Sequence, residues 1–131
     1  MIVRKLKLLK DDSPDEEPLR VTQVQLLDEP LSNQQSAVSM ATLLARVHMW
    51  MKKAEFMKGP VTVHCMNGAS SAGIYCVCSY VFDQIAAEET VDILKAVKVA
   101  RSSRPQFIEN FDQYRFCYDV IKEYLESYSV V

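Results

Sequence analysis

Tryptophan occurs once, histidine twice and glycine three times in these 131 residues, and no apolar run reaches membrane-spanning length. That last absence excludes a transmembrane helix as the organising feature. An excess of one charge sign is also missing. The net charge is −2 and the pI about 5.7, which argues against a nucleic-acid partner or an acidic lipid surface. Residues 1–7 (Met-Ile-Val-Arg-Lys-Leu-Lys) lack the apolar core of a signal peptide. Repeats, low-complexity tracts and linkers are absent too. What remains is ordinary for a globular protein, 49% apolar and 24% charged, and the length suits one domain or a sizeable piece of one.

The four cysteines, Cys65, Cys76, Cys78 and Cys117, lie in apolar segments, and Cys76 and Cys78 are too close along a helix to bridge each other. Free thiols in a reducing, cytoplasmic setting are therefore expected. The spacing of His64, Cys65, Cys76 and Cys78 matches no usual zinc pattern, so neither a metal nor a cofactor is expected.

Alternating apolar residues predict strands at 3–9 and 19–27, joined by an acidic, proline-broken stretch at 11–18 that reads as a solvated hairpin connection. After a loop at 28–35, helical spacing of Met40, Leu43, Leu44, Val47 and Met51 predicts a helix over 36–53. Gly59-Pro60 then punctuates, and 61–64 reads as a buried strand. A helix apolar almost all round, hence buried, is expected over 72–85. Two more follow, at 91–102 (Val91, Leu94, Val97 and Lys98 on successive turns) and 110–126 (Tyr114, Cys117, Tyr118, Ile121 and Leu125). Arg104-Pro105 ends the first of these, and Asn110 with Gln113 resembles a capping box opening the second. His48 and Trp50 read as helix packing. The class is α/β, a mixed sheet flanked by helices.

The chemistry concentrates in residues 61–73, Val-Thr-Val-His-Cys-Met-Asn-Gly-Ala-Ser-Ser-Ala-Gly. A loop that leaves a strand and enters a helix aims backbone N–H groups at one point, where the helix dipole adds about half a positive charge. A cysteine at the base of such a loop should carry thiolate character. Thiol-based phosphatases need an arginine after five spacers, because thiolate and phosphoryl group are both anionic. Counting from Cys65, that position holds Ser71.

Taken with Val21-Thr22-Gln23-Val24-Gln25-Leu26, Arg104-Pro105 and Asp112-Gln113-Tyr114-Arg115-Phe116-Cys117-Tyr118, the loop resembles the C-terminal part of a classical protein tyrosine phosphatase domain. It is most similar to the catalytically inactive, membrane-distal second domain of receptor-type enzymes. The resemblance covers nearly the whole chain and implies one partial domain, 1–131. It also implies a phosphate-binding loop of Cys65, Met66, Asn67, Gly68, Ala69, Ser70 and Ser71, with Cys65 a vestigial nucleophile. Four positions depart from the family pattern. Leu31 stands for the general-acid aspartate, Ser71 for the arginine, Ala72 for the Ser/Thr that helps the thiolate leave, and Glu109 for the water-positioning glutamine. The resemblance thus implies a pseudophosphatase in the intracellular part of a receptor. Its partners would be an adjacent active phosphatase domain or a phosphotyrosine protein, with no nucleic acid and no membrane contact by this segment. Residual phosphotyrosine binding or weak hydrolysis, and a redox sensor at Cys65, are the alternatives.

Overall fold

Apolar side chains three and four residues apart recur through the second two thirds of the chain, and they fold into four helices around a shared core. The computed structural model describes residues 1–13, 15–28, 34–53 and 59–128, with Gln34 described by its backbone alone. In chain order the elements are β1 (Ile2–Leu8), β2 (Leu19–Gln25), α1 (Gln34–Met51), α2 (Ser70–Glu88), α3 (Ile93–Ser103) and α4 (Phe111–Tyr128). This is a helical layer with a small antiparallel sheet.

Helix α2 is central. Ala72, Ile74, Val77, Cys78, Val81 and Phe82 are buried, which takes both sides of the helix and requires neighbours on both. Those neighbours are α3 and α4, with α1 completing the layer mainly through α4. Phe82 packs on Tyr124 of α4 with ring centroids 3.7 Å apart. His48 of α1 lies with Nδ1 3.5 Å from an Asp83 carboxylate oxygen of α2. No helix among the described residues is long and apolar enough to cross a membrane.

Side chains set the helix boundaries. Asp92 accepts a hydrogen bond from the Lys95 N–H (2.8 Å) and starts α3 at Ile93. Asp92→Ala is expected to lower stability by about 1 kcal/mol, measured as a shift of the urea midpoint at unchanged slope. At the start of α4, Asn110 Oδ1 accepts from the Gln113 N–H (2.9 Å). Gln113 Oε1 returns the contact one residue earlier than a strict capping box, accepting from the Glu109 N–H (2.8 Å).

Sequence-based expectations change at several points, among them Tyr118, on the expected stripe of α4 but 48% exposed. Residues 61–64 form no strand among the described residues, and Val61 is 45% exposed. A strand needs a backbone neighbour, and among the described residues β1 and β2 pair only with each other, in register from Ile2↔Gln25 to Leu8↔Leu19. In α3 the inward stripe is Ile93, Ala96 and Val97, whereas Leu94 is 52% exposed and Val91 precedes the helix. The face of α3 that packs on α2 carries Ile93, Ala96 and Val97, and Leu94 lies off it. The sheet itself is largely exposed and meets the helical core through Val24 and the adjoining Leu26.

Candidate functional site

The segment after Gly59-Pro60 runs into α2 through a tight loop whose shape depends on Gly68 and Gly73. Gly68 has φ +65°, in the left-handed region that glycine adopts without a Cβ penalty. A Cβ at Gly73 would stand 3.0 Å from the Phe107 ring, so its hydrogen lets the 104–109 segment close onto the start of α2. Gly68→Ala is expected to destabilise the protein by about 1–2 kcal/mol, read from chemical denaturation.

Cys65 sits at the loop's base, half-buried, with its Sγ accepting from the Ala72 N–H at 3.4 Å. Partial burial pushes its thiol pKa up. Hydrogen bonds from the backbone N–H groups of Ala72, Gly68, Ala69 and Asn67 together outweigh that, and the net value lies below the ordinary thiol range. Cys76 is pushed the other way, first by burial and then by the Cys65 charge. Cys78 is raised further, first by its hydrogen bond with Cys117 and then by full burial. The nucleophile is the thiolate, so raising the pH should label Cys65 with iodoacetamide before Cys76 or Cys78, as peptide mass spectrometry would show.

A loop acceptor holds the turn together. Asn67 Oδ1 accepts from the N–H groups of Ala69 and Ser70 (3.0 Å each) and from Ser70 Oγ (3.1 Å), and it lies 3.4 Å from Cys65 Sγ. Ser71 is half-buried and Ala72 buried on the first turn of α2, while Met66 and His64 are exposed.

The second wall is residues 104–109. The Arg104 guanidinium lies against Gly68, its Nη2 3.4 Å from where a Cβ would stand, with the Phe107 ring centroid 6.0 Å from its central carbon. Arg101 is committed elsewhere, donating through Nη1 to the Phe107 (3.0 Å) and Ile108 (2.9 Å) carbonyls. Those bonds, with Gln113 holding the Glu109 N–H, keep Ile108 buried at φ +53°, a strained conformation for a β-branched residue. Glu109 follows directly and is exposed. The fold thus brings the 65–72 loop, Arg104 and the Glu109 segment together. The fourth departing position, Leu31 with Glu29 and Pro30, lies outside the described residues. The reading from sequence counted Asn67 in the loop but not as its hydrogen-bond acceptor, and named Arg104 only in the turn that ends α3. Asn67 had a signal, an Asn just ahead of a helix start. Arg104 had none, because its contact with Gly68 exists only once α3 and α2 pack.

A cysteine held by backbone N–H groups at a glycine-shaped entry to a buried helix, faced by an arginine-bearing turn, defines a class. The protein-tyrosine phosphatase family model matches residues 1–123, and the chain belongs to that family. Among curated proteins it is 39% identical to receptor-type tyrosine-protein phosphatase U of Gallus gallus over 92 residues, covering 70% of this chain and 6% of that protein. It is 33% identical to receptor-type tyrosine-protein phosphatase S of Gallus gallus over 129 residues (97% and 8%). To tyrosine-protein phosphatase Lar of Drosophila melanogaster it is 33% identical over 119 residues (89% and 6%). The chain therefore spans less than a tenth of the length of these relatives.

Proposed function

We propose that this chain is a pseudophosphatase segment, the decayed C-terminal part of a receptor-type phosphatase domain, serving a regulatory or scaffolding role beside an active phosphatase domain in the cytoplasm. In this reading residues 65–71 are the phosphate loop and Cys65 is the former nucleophile. One observation carries it: Ser71 occupies the arginine position, Arg101 is spent on the Phe107 and Ile108 carbonyls, and Arg104 stands against Gly68 from a different segment. An arginine that gathers phosphoryl charge is worth roughly 10³–10⁵ in rate in related phosphoryl transfers. A positioned acid is worth roughly 10²–10⁴. Losing both, with Glu109 adding negative charge in place of a glutamine, removes most catalysis even if the effects overlap.

The measurement is hydrolysis of p-nitrophenyl phosphate by the protein and by its Cys65→Ser variant. Both are expected to match buffer, and turnover that vanishes only in the variant defeats the reading.

Arg104 beside Gly68 supports a second reading, weak binding of a phosphotyrosine protein. Titration with a phosphotyrosine peptide decides it, and a dissociation constant above about 1 mM leaves no binding function to explain.

A further inference from the structure

Two thiols stand apart from the loop chemistry, and they meet. Cys78 of α2 and Cys117 of α4 are both fully buried, and their side chains share a hydrogen bond across the seam between the helices. The same seam seats Phe82 on Tyr124, one turn further along α2 and two further along α4. Any small apolar side chain would satisfy burial there. A pair of thiols in contact can do something more, which is to lose two hydrogens and close a disulfide with an S–S bond of about 2.05 Å. Cys65 and Cys76, both half-buried, lie outside this pair.

We propose that Cys78 and Cys117 form a redox lock, a disulfide that pins α4 to α2 when a small two-electron oxidant such as hydrogen peroxide reaches them. One thiolate attacks the peroxide; its sulfur keeps one oxygen as a sulfenic acid, and the other oxygen leaves as water. The second thiolate attacks that sulfur, the S–S bond forms, and the sulfenic oxygen leaves as a second water. Two thiol hydrogens and two electrons thus pass to one peroxide, and exchange with glutathione reverses the bond. Burial and the shared hydrogen bond hold Cys78 as the thiol, so the reaction waits on local opening of the seam. Proximity then favours the neighbouring sulfur over any other partner. The bond joins the two helices that carry the walls of the loop. Helix α2 opens from that loop, and Cys117 lies one turn after Gln113, which holds the Glu109 N–H. Whether residues 65–71 bind phosphate does not enter.

The test uses the Cys65→Ser/Cys76→Ser protein, in which Cys78 and Cys117 are the only thiols. After hydrogen peroxide, its intact mass should fall by about 2 Da, and peptide mapping should find residues 78 and 117 cross-linked. The urea midpoint should rise with the bond and return on adding dithiothreitol. Adding Cys78→Ala should abolish both the mass loss and the rise. Oxygen gained on either sulfur without a cross-link overturns the proposal. A second arm removes the question of access, because the bond is formed in guanidinium chloride and the protein then refolded. Equilibrium with glutathione is measured in native buffer and in denaturant. A bond that suits the folded seam should be at least about tenfold harder to reduce in native buffer. Equal or easier reduction there means that the fold resists the bond, and the lock is refuted.

Discussion

Placed together in a complete domain, Ser71→Arg, Leu31→Asp and Glu109→Gln are expected to raise hydrolysis of p-nitrophenyl phosphate at least about 10²-fold, with the gain lost on adding Cys65→Ser. The backbone contacts that lower the Cys65 pKa are already present. In the pseudophosphatase reading, what is missing is charge and proton delivery. The arginine should supply the larger share, because a guanidinium fork can grip two phosphoryl oxygens at once while a serine hydroxyl offers one neutral donor. Glu109→Gln removes a like charge from the approach of a dianion. The summed single-group values would suggest more than 10², but groups acting as a unit are far from additive. Failure of the triple variant to exceed background would mean that the loop frame, and not only its reactive groups, has decayed.

The largest stability effect is expected at Phe82. Its side chain is buried at the centre of α2 and packs on Tyr124 of α4. Phe82→Ala should cost about 3–5 kcal/mol through lost transfer energy and the cavity left behind. A domain of this size has only about 5–15 kcal/mol in total, so the variant should be largely unfolded at 37 °C. Circular dichroism during urea titration measures the shift. A loss below about 1 kcal/mol would show that α4 is not fixed against α2. Tyr124→Phe is the matched control, because it keeps the ring contact and should leave the midpoint nearly unchanged.

The Cys65 loop and the packing of α2 are linked by position. The loop is the N-terminal entry of the most buried helix, so its geometry inherits the rigidity of that helix. Gly73 shows how closely the walls approach. Its missing Cβ is what admits Phe107, which in turn sits beneath Arg104. A change anywhere in the 104–109 segment should therefore be felt at Gly68.

Residue order and type alone determined where the helices lie, that α2 is buried, and that the loop carries a cysteine without its arginine. Periodicity, capping residues and the count from Cys65 to Ser71 are local properties that need no partner. Packing decided the rest. Residues 61–64 have the composition of a strand, but a strand exists only beside another, and none is described there. The buried face of α3 was set by how it packs on α2. The burial of Ile108 at positive φ, Arg104 against Gly68 and the donors claimed by Asn67 each depend on atoms brought together by chain closure. No pattern along the sequence specifies such meetings, because they follow from distances that only the folded backbone fixes.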